Sequence, residues 1–256
     1  MENVNVSGCI VTYNNVGTIS DTLESLFNNT ENKNFKLFVV DNGSTDGTVE
    51  FIKTKYPQVE LVETGKNLGF GKGHNEILNR LESKYHFIIN PDVSIKDDAI
   101  GKMTDYFETH ADVGIVSPKI CFPDGRLQIL GKRKPNIFYL AASRMRKEGE
   151  PGRLLKKYAM LDCDLNKEMD IEVASGCFVG IRTDIFKRIN GFDDRYFMYF
   201  EDYDLSRTVA KTARVRYFPE AVVYHEWGRE SKRNTKLKMI HISSMFKYFL
   251  KWLFKK

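Results

Sequence analysis

Several features that would set the chain apart from ordinary globular proteins are absent or scarce in its 256 residues. No basic-then-apolar stretch opens the sequence and no uninterrupted apolar run could cross a bilayer, so we expect neither a secretion leader nor a transmembrane helix. The four cysteines lack CxxC spacing and three lie in apolar surroundings, which predicts buried free thiols in a reducing compartment. With 42% hydrophobic and 29% charged residues, the composition is that of a soluble globular protein of one large or two small domains.

Acidic residues are scarce at the C-terminal end. Between Arg229 and Lys256 there are nine Lys or Arg and one acid, whereas the rest of the chain has 30 basic and 33 acidic side chains. The net charge of +5 thus divides into +8 for the tail and −3 for the remainder, which predicts an anionic surface as a partner. Within 235–256, Trp252 and several Phe and Leu recur among lysines at largely helical spacing, which favours attachment to a membrane surface. A helix packed on the domain with its lysines in solvent is the alternative.

Short apolar runs alternate with amphipathic segments along the first 120 residues. A spacing of ~20 to 25 residues between strands specifies βαβ units, so we predict an α/β fold with a mostly parallel central sheet flanked by helices. The handed crossovers of such units place the loops that follow the strands along one edge of the sheet. The predicted strands of this half lie at 8–12, 35–40, 59–62, 85–89 and 113–116.

The strand at 85–89 runs directly into Asn90, Pro91 and Asp92. Proline ends the strand abruptly, and ligands of open α/β sheets bind just beyond the carboxyl ends of the strands. A carboxylate there, with an amide two residues before it, suits a hard cation that carries a phosphate. The alternative is a turn in which Asp92 caps the following helix.

Two further loops are predicted to reach the same edge. Asp41 ends the second strand, where its carboxylate can accept a hydrogen bond from the imide N–H of a pyrimidine base; an Asx turn in the sequence DNGST is the alternative. In the loop 65–73 (GKNLGFGKG), Asn67 and Gly69 could approach a ribose or a pyrophosphate closely. This loop lacks the spacing of the dinucleotide fingerprint. The convergence of these loops with Asp92 predicts a nucleotide-type site.

A second group of candidate residues lies in the C-terminal half. Glu201 and Asp202 follow an aromatic stretch, 196–200, whose low local dielectric should raise a carboxylate pKa toward that of a general base in a sugar pocket. The dipole at a helix start could account for both acids without chemistry. His225 follows an apolar strand and is either a metal ligand or a core histidine.

The order of the motifs is more specific than any one of them. TYNN, VVDNGSTDGT, KNLGFGKGHN, INPDV, ASGCFVGIR, GFDDRYFMYFEDYDL and YHEWGRES follow one another between Val6 and Ser231. This series resembles glycosyltransferase family 2 of the GT-A fold, and within it the bacterial rhamnosyltransferase-type branch that builds surface polysaccharides. The resemblance implies a GT-A, Rossmann-like domain at 1–228, with a nucleotide-sugar-binding half at 1–120 and an acceptor or catalytic half at 121–228. The basic amphipathic tail at 229–256, with its C-terminal helix, lies outside that domain.

The resemblance also implies roles for individual residues. It gives Asp202 as the catalytic base and Glu201 as the neighbour that contacts the acceptor or positions the base. It gives Asp92 as the metal-binding acid of a DXD-like motif and His225 as the histidine that completes the metal shell. Asn90 stands where that motif has its first acid, so the site has one charge fewer. Residues implied to bind the nucleotide sugar are Thr12, Tyr13, Asn14, Asp41, Asn67, Gly69, Asn75, Asn90 and Asp92.

The function implied is that of an inverting glycosyltransferase assisted by Mn²⁺ or Mg²⁺. The expected donor is dTDP-rhamnose, with a UDP-hexose or a UDP-N-acetylhexosamine as the alternative. The expected acceptor is a lipid-linked saccharide, and the expected location is the cytoplasm, at the inner face of the cell membrane through 235–256.

A nucleic-acid-binding protein that uses the basic tail is a second class of function, disfavoured because the acids at the sheet edge would repel phosphates. A nucleotidyltransferase or dinucleotide enzyme is a third, disfavoured by the missing fingerprint.

Overall fold

A nine-stranded mixed β-sheet with helices on both faces forms the centre of the protein in a computed structural model, which describes residues 5–32, 34–145, 149–226 and 234–253. In chain order the elements are β1 (Val6–Thr12), α1 (Val16–Asn29), β2 (Phe35–Asp41), α2 (Thr48–Lys55), β3 (Glu60–Glu63), α3 (Phe70–Asn75), a 3-10 turn (Leu78–Arg80), β4 (Tyr85–Ile89), β5 (Val93–Ser94), α4 (Ala99–Thr109), β6 (Val113–Cys121), α5 (Ile137–Arg144), α6 (Arg153–Tyr158), β7 (Met169–Asp170), β8 (Phe178–Arg182), α7 (Thr183–Arg188), α8 (Glu201–Val209), β9 (Arg214–His225) and α9 (Thr235–Leu253).

The strands lie in the order β3-β2-β1-β4-β8-β6-β9-β5, with β7 also paired to β9. The first four are parallel, as the βαβ spacing predicts. Strand β8 is antiparallel to both β4 and β6, so the sheet as a whole is mixed where the sequence predicts a mostly parallel one. The reason is the point at which the chain re-enters the sheet. The N–H of Asn90 donates to the C=O of Cys177 at 2.8 Å, so the chain arrives at the carboxyl edge of β4 and β8 runs back along it.

Strand β9 unites two predicted strands. The runs 215–218 and 221–224 form a single strand that pairs in parallel with β6, and the register shifts between Pro118 and Lys119, opposite the junction of the two runs. Such an irregularity bends a strand without ending it. Strand β9 thereby reaches β5, where His225 pairs with Val93. The predicted boundary between residues 120 and 121 falls inside β6, and the division into two halves stays a prediction.

The strands bury both of their faces. Along β1, Val6 and Ile10 belong to the apolar layer under α1, α2 and α4, whereas Cys9 and Val11 belong to the layer under α3, α7 and α8. This alternation follows from the two-residue period of a strand, and burial on both faces explains why the strands read as continuous apolar runs. All four cysteines are free and only Cys163 is exposed, as the spacing predicts.

The C-terminal helix α9 packs on the domain through one face. Tyr248 and Trp252 join Tyr196 and Phe200 in a third buried cluster, which we call the aromatic cluster. Among the described residues, no helix has the length and apolar character needed to cross a membrane. The inner face of α9 is therefore packed on the domain, which the sequence analysis gave as the alternative to membrane attachment.

Candidate functional site

Three loops meet at the carboxyl edge of the parallel strands. Thr12 at the end of β1 pairs with Asp41 at the end of β2, and Ile10 pairs with Ile89, the last residue of β4. The side-chain amide of Asn42 donates to the C=O of Gly69 at 3.0 Å, which holds the loop 65–73 against the same edge. The structure thus brings together the segments that carry Thr12, Asp41 and Asp92.

Asp41 uses one carboxylate oxygen to hold a turn and leaves the other without a donor. Its Oδ2 accepts the backbone N–H groups of Gly43 and Ser44, each at 2.9 Å, so the Asx turn considered at the sequence level is present. Its Oδ1 is buried and has no hydrogen-bond partner among the described residues. A buried acceptor without a donor is costly unless a ligand supplies one, and an imide N–H would do so.

The loop after β1 is built around Asn14. This residue has a left-handed φ of 55°, its Oδ1 accepts the N–H of Thr45 at 2.8 Å, and its N–H donates to the Oγ of Ser44 at 2.9 Å. Its side chain therefore joins the loops that follow β1 and β2. The neighbouring Tyr13 is 48% exposed, so its ring lies at the surface of the strand-end edge.

Gly69 brings the glycine-rich loop against the segment that precedes α8. It has a φ of +85°, and a Cβ there would lie 2.0 Å from the carbonyl oxygen of Phe197, so only glycine fits. The next residue, Phe70, donates its N–H to that oxygen at 2.9 Å. Asn67 accepts the N–H of Gly69 at 2.9 Å and sets the turn. The close approach at Gly69 is to protein backbone, where the sequence argument expected a nucleoside.

Asn75 is fully engaged with the protein. Its amide donates to the C=O of Phe192 at 2.8 Å and to Asp194 at 3.1 Å, and its Oδ1 accepts the N–H of Phe192 at 2.9 Å. These bonds tie α3 to the segment before α8. They give Asn75 a structural role, and its expected contact with the nucleotide sugar stays a prediction.

Asp92 and His225 face each other at the ends of neighbouring elements. The Nε2 of His225 lies 3.3 Å from Oδ1 of Asp92, and this oxygen is buried with no hydrogen-bond partner among the described residues. On the other side of the ring, Nδ1 lies 3.2 Å from Oε1 of Gln128. Burial lowers the pKa of His225, but the sulfur of Cys177 and the carboxylate of Asp92 raise it by more, to about 10, so the ring carries a proton on both nitrogens. Nδ1 donates to Gln128, and the proton on Nε2 faces Asp92, where a bound cation would take its place.

Gln128 is a site residue that the sequence analysis missed. It is buried, and its amide also donates to the C=O of His225 at 2.5 Å. It lies 97 residues before His225 in an irregular stretch, and only its place after the hairpin at Pro123, Asp124 and Gly125 could have singled it out. Its two contacts fix both the backbone and the ring of His225.

The arrangement around Asp92 fits a divalent cation that takes its remaining ligands from a substrate. Within the described ranges, no group of three or more His, Cys, Asp or Glu could hold a metal by itself. An unpartnered carboxylate oxygen beside an imidazole nitrogen nevertheless offers two ligands. Divalent cations at phosphate-transfer sites are commonly held by one or two carboxylates together with the phosphates of the substrate.

Glu201 and Asp202 begin α8 after a strained turn. Tyr199 and Phe200 both have a φ of 69°, a conformation that residues with a Cβ seldom adopt. The Oδ2 of Asp202 accepts the N–H of Gly176 at 3.2 Å, and its Oδ1 accepts the N–H of Tyr203 at 2.9 Å. Glu201 is buried, and its Oε2 has no hydrogen-bond partner in the described part of the chain.

Glu201 and Asp202 differ in the hydrogen bonds that their carboxyl groups accept, and this difference decides which of them holds a proton. Burial raises the pKa of Glu201, and the charge of Asp202 raises it further. Burial also raises the pKa of Asp202, but the two backbone N–H groups oppose the rise because they stabilise its charged form. Glu201 is therefore protonated first, and Asp202 remains the carboxylate that can accept a proton.

Residues 176 and 177 connect the two acidic positions. Cys177 accepts the N–H of Asn90 through its C=O, and Gly176 donates its N–H to Asp202. A Cβ on Gly176 would lie 3.2 Å from the Cβ of Asp202. Asp202 and Asn90, two residues before Asp92, thus contact adjacent residues of one short segment at this edge of the sheet, and we refer to the region between Asp92 and Asp202 as the cleft.

Comparison with known sequences gives one family. The sequence model described as "Glycosyl transferase family 2" matches residues 7–189. The N-acetylglucosaminyl-diphospho-decaprenol L-rhamnosyltransferase of Mycobacterium tuberculosis strain H37Rv is 28% identical over 210 residues, which are 77% of this chain and 68% of that protein. Rhamnosyltransferase WbbL of Escherichia coli strain K12 is 26% identical over 252 residues, which are 93% of this chain and 90% of that protein.

Comparison with solved structures confirms the predicted GT-A fold. The mannosyltransferase PcManGT from Pyrobaculum calidifontis, solved with GDP-Man and Mn²⁺, has a TM-score of 0.68 and 17% identity over all of this chain. TarS 1-349 from S. aureus has a TM-score of 0.63 and 18% identity over 93% of this chain. This chain spans 66% and 65% of those two solved chains, and at such identities the likeness establishes the fold alone.

Proposed function

Because the chain belongs to glycosyl transferase family 2, we propose that this glycosyltransferase moves a sugar from a nucleotide-diphosphate donor to a saccharide acceptor in bacterial surface polysaccharide synthesis. The observation that carries the proposal is that Asp202 and Asn90, two residues before Asp92, contact the adjacent residues Gly176 and Cys177. Asp92, with His225 beside it, suits the charged leaving group, and Asp202 suits the attacking hydroxyl. A single displacement between them inverts the anomeric configuration.

The loops after β1 and β2 are assigned to the nucleotide. Oδ1 of Asp41, buried without a donor, would accept the imide N–H of a uracil or thymine base. Tyr13 follows Thr12, which pairs with Asp41, so its exposed ring is assigned to stack on that base, while Asn14 keeps the two loops together. Thr12 and Asn67 border the same loops. Asn90 is assigned to the diphosphate, next to Asp92.

Asp92 and His225 would hold Mn²⁺ or Mg²⁺, and Gln128 would keep the His225 ring in the tautomer that presents Nε2. A divalent cation bound there neutralises part of the charge of the diphosphate and so makes it a better leaving group. Asn90 contributes no charge, so this cleft relies on one carboxylate where an acidic pair would supply two.

Asp202 is assigned as the general base. Its carboxylate removes the proton of the acceptor hydroxyl as the oxygen forms a bond to the anomeric carbon, while the bond between that carbon and the diphosphate oxygen breaks on the opposite face. Because bond breaking runs ahead, the sugar carries oxocarbenium character, as in glycoside hydrolysis. Glu201, protonated beside it, adds no second charge and leaves Asp202 as the proton acceptor.

The donor sugar and the acceptor are proposed from the relatives. Two of them are named rhamnosyltransferases, which supports dTDP-rhamnose as the donor, with a UDP-hexose or UDP-N-acetylhexosamine as the alternative. The name of the mycobacterial relative includes a diphospho-decaprenol, which supports a lipid-linked saccharide as the acceptor. Such an acceptor would place the enzyme in the cytoplasm at the inner face of the membrane, in contact with it through 235–256.

A panel of nucleotide sugars tests the proposal. The full chain is incubated with dTDP-rhamnose, UDP-glucose and UDP-N-acetylglucosamine, with and without Mn²⁺, and both thermal protection and slow donor hydrolysis are measured. We expect the greatest protection and hydrolysis with dTDP-rhamnose in the presence of Mn²⁺. A stronger response to a UDP-sugar would replace the donor, and no response to any nucleotide sugar would refute the assignment of the cleft.

A further inference from the structure

The outer face of α9 is apolar although it lies in solvent. Met239, Phe246, Leu250 and Leu253 are between 59% and 70% exposed. At 3.6 residues per turn, these four positions fall within an arc of about 60° on one side of the helix. Ser244, Tyr248 and Trp252, on the other side, are buried against the domain, so the outer stripe is not the packing face.

Helix α5 adds a second apolar face next to the first. Ile137, Phe138 and Met145, which directly follows the helix, are each at least 72% exposed. Leu140 packs on the aromatic cluster that also receives α9. Burial lowers the pKa of His241 in α9, and the guanidinium of Arg144 in α5 lowers it further, which requires the two helices to be neighbours. Of the eleven exposed large hydrophobic side chains among the described residues, six belong to this pair of helices and a seventh, Met145, directly follows α5.

The charged side chains on these two helices have one sign. Neither α5 nor α9 contains Asp or Glu. In α9, Lys236, Lys238 and Lys247 are exposed, and Arg144 is exposed at the end of α5. An apolar stripe bordered by lysines and without carboxylates is complementary to a bilayer surface that carries anionic headgroups.

We infer that the outer faces of α5 and α9 together form a membrane-binding surface, and that its ligand is the headgroup region and outer acyl layer of an anionic bilayer. A second copy of the chain fits less well, because a two-fold contact through this surface would oppose lysines to lysines with no acid to pair them. The inference deepens the proposed function and rests on it for its purpose, which is to present a lipid-linked acceptor to the cleft.

The inner face of α9 shows how this surface is tied to the cleft. Ser244 donates to the C=O of Met198 at 2.8 Å, and Lys247 donates to the C=O of Arg195 at 2.7 Å. These bonds fall on the segment that leads into Asp202. Deletion of α9 would therefore disturb the acidic segment as well as the surface, and substitutions of outward side chains are the cleaner test.

The experiment is flotation of the full chain with vesicles, paired with donor hydrolysis on the same samples. The vesicles contain phosphatidylethanolamine and phosphatidylglycerol, or phosphatidylcholine alone. The variants are F246S with L250S on α9, and I137S with F138S on α5; L154S, at an exposed leucine of α6, is the matched control. We expect binding to the anionic vesicles, and a loss of about tenfold or more in each double variant, because each removes two large apolar side chains from the bilayer.

Donor hydrolysis in both double variants should remain that of the unaltered chain, since none of these residues lies at the cleft. The inference of a membrane-binding surface would be overturned if the unaltered chain failed to float, or if both double variants bound vesicles as the unaltered chain does. A dimer in light scattering that either double variant converts to a monomer would also overturn it, in favour of a self-interface. Flotation that depends on these residues, in a chain that hydrolyses no nucleotide sugar, would support the surface and refute the proposed function.

Discussion

The two sides of the cleft differ in how far along the chain their supporting contacts reach. On the donor side, formed by the loops after β1 and β2, Asp41 is held by the N–H groups of residues two and three positions later. On the acid side, residues 193–204, Asp204 accepts the indole N–H of Trp252 at 2.7 Å and the ammonium of Lys251 at 2.6 Å, 48 and 47 positions later. On the donor side the carboxylate of Asp41 is held by a local turn, although Asn14 and Asn42 also join neighbouring loops across 27 to 31 positions. On the acid side, Asp204 is held by a distant helix.

This difference separates two kinds of failure. A fault in the donor side should change the affinity for nucleotide and leave the fold intact, because its turns are formed by neighbouring residues. A fault in the supports of the acid side should lower the stability and the turnover together, because Tyr199 and Phe200 are strained and stay in place only through the packing around them.

The largest effect is expected at the base. Asp202→Asn should lower turnover by roughly 10² to 10⁴, the usual contribution of general base catalysis, with little change in donor affinity measured by calorimetry. Asp184→Asn, at an exposed acid of α7, is the matched control and should leave turnover unchanged. A donor affinity that falls in parallel with turnover would assign Asp202 to binding instead.

The next effect concerns the cation-type site. Asp92→Asn should weaken Mn²⁺-dependent binding of a nucleoside diphosphate by about tenfold or more, since even residues that only orient metal ligands are worth roughly 10- to 100-fold. Calorimetric titration with and without Mn²⁺ measures this. Asp41→Asn should weaken binding equally in both conditions, because its contact is with the base. Equal behaviour of the two variants would contradict the division of roles.

The supports of the acid side can be broken at Lys251. This lysine is 9% exposed and pairs with both Asp193 and Asp204, so Lys251→Met removes the cation from the buried carboxylate of Asp204, which keeps the indole N–H of Trp252. We expect the free energy of unfolding to fall by about 3 kcal/mol, and the Tm by about 6 to 12 °C. Lys236→Met, at an exposed position of the same helix, should be neutral within about 0.5 kcal/mol. A stable Lys251→Met with normal turnover would show that the acid side does not depend on the ion pairs of Lys251.

The pH dependence of turnover sharpens the distinction between the two adjacent acids. Because burial raises the pKa of Asp202, activity should fall as the pH drops through a value above the ordinary range of aspartate, as the base becomes protonated. Glu201→Gln should leave this acid limb in place, since Glu201 is already protonated there. A limb that moves to lower pH in Glu201→Gln would show that Glu201 is charged in the active form.

The smallest effect is on stability in mild acid. Burial lowers the pKa of His74 and of His86, so the unfolded chain binds protons below about pH 6.5 that the folded chain does not. Each of these two histidines therefore lowers the stability as the pH drops from 7 to 5. The raised pKa values of Glu201 and Asp202 act in the opposite direction, because the folded chain binds protons there that the unfolded chain does not. The pKa of Asp193 is lowered to about 2, mainly by Lys251 against the effect of burial, so its contribution is present above the unfolded value near 4 and is lost only below it. Urea unfolding of the unaltered chain and of His86→Asn at pH 7, 6 and 5 isolates the contribution of one histidine. We expect His86→Asn to lose less stability, or gain more, than the unaltered chain as the pH drops; identical profiles for the two chains would contradict the role of His86.

Two features of the donor side could be predicted from the sequence. The turn at Asp41 follows from residues 41–44, and the convergence of the strand-end loops follows from the handedness of βαβ units. The direction of β8 could not be predicted, because nothing in residues 178–182 states from which edge the chain arrives. The roles expected for Asn75 and Gly69 rested on their motif, whereas their observed partners, Phe192 and Phe197, lie far along the chain.

The sequence by itself determined the α/β alternation, the buried strands, the position of Asp41 and Asp92 at strand ends and the apolar, basic character of the C-terminal helix. Only the tertiary structure decided that Gln128 supports His225, that Asp204 is held by Trp252 and Lys251, and that α9 packs one face and exposes the other. Local turns are set by the backbone preferences of a few adjacent residues. The choice of a partner 50 or 100 residues away depends on how all the elements pack, and no short stretch of sequence contains that information.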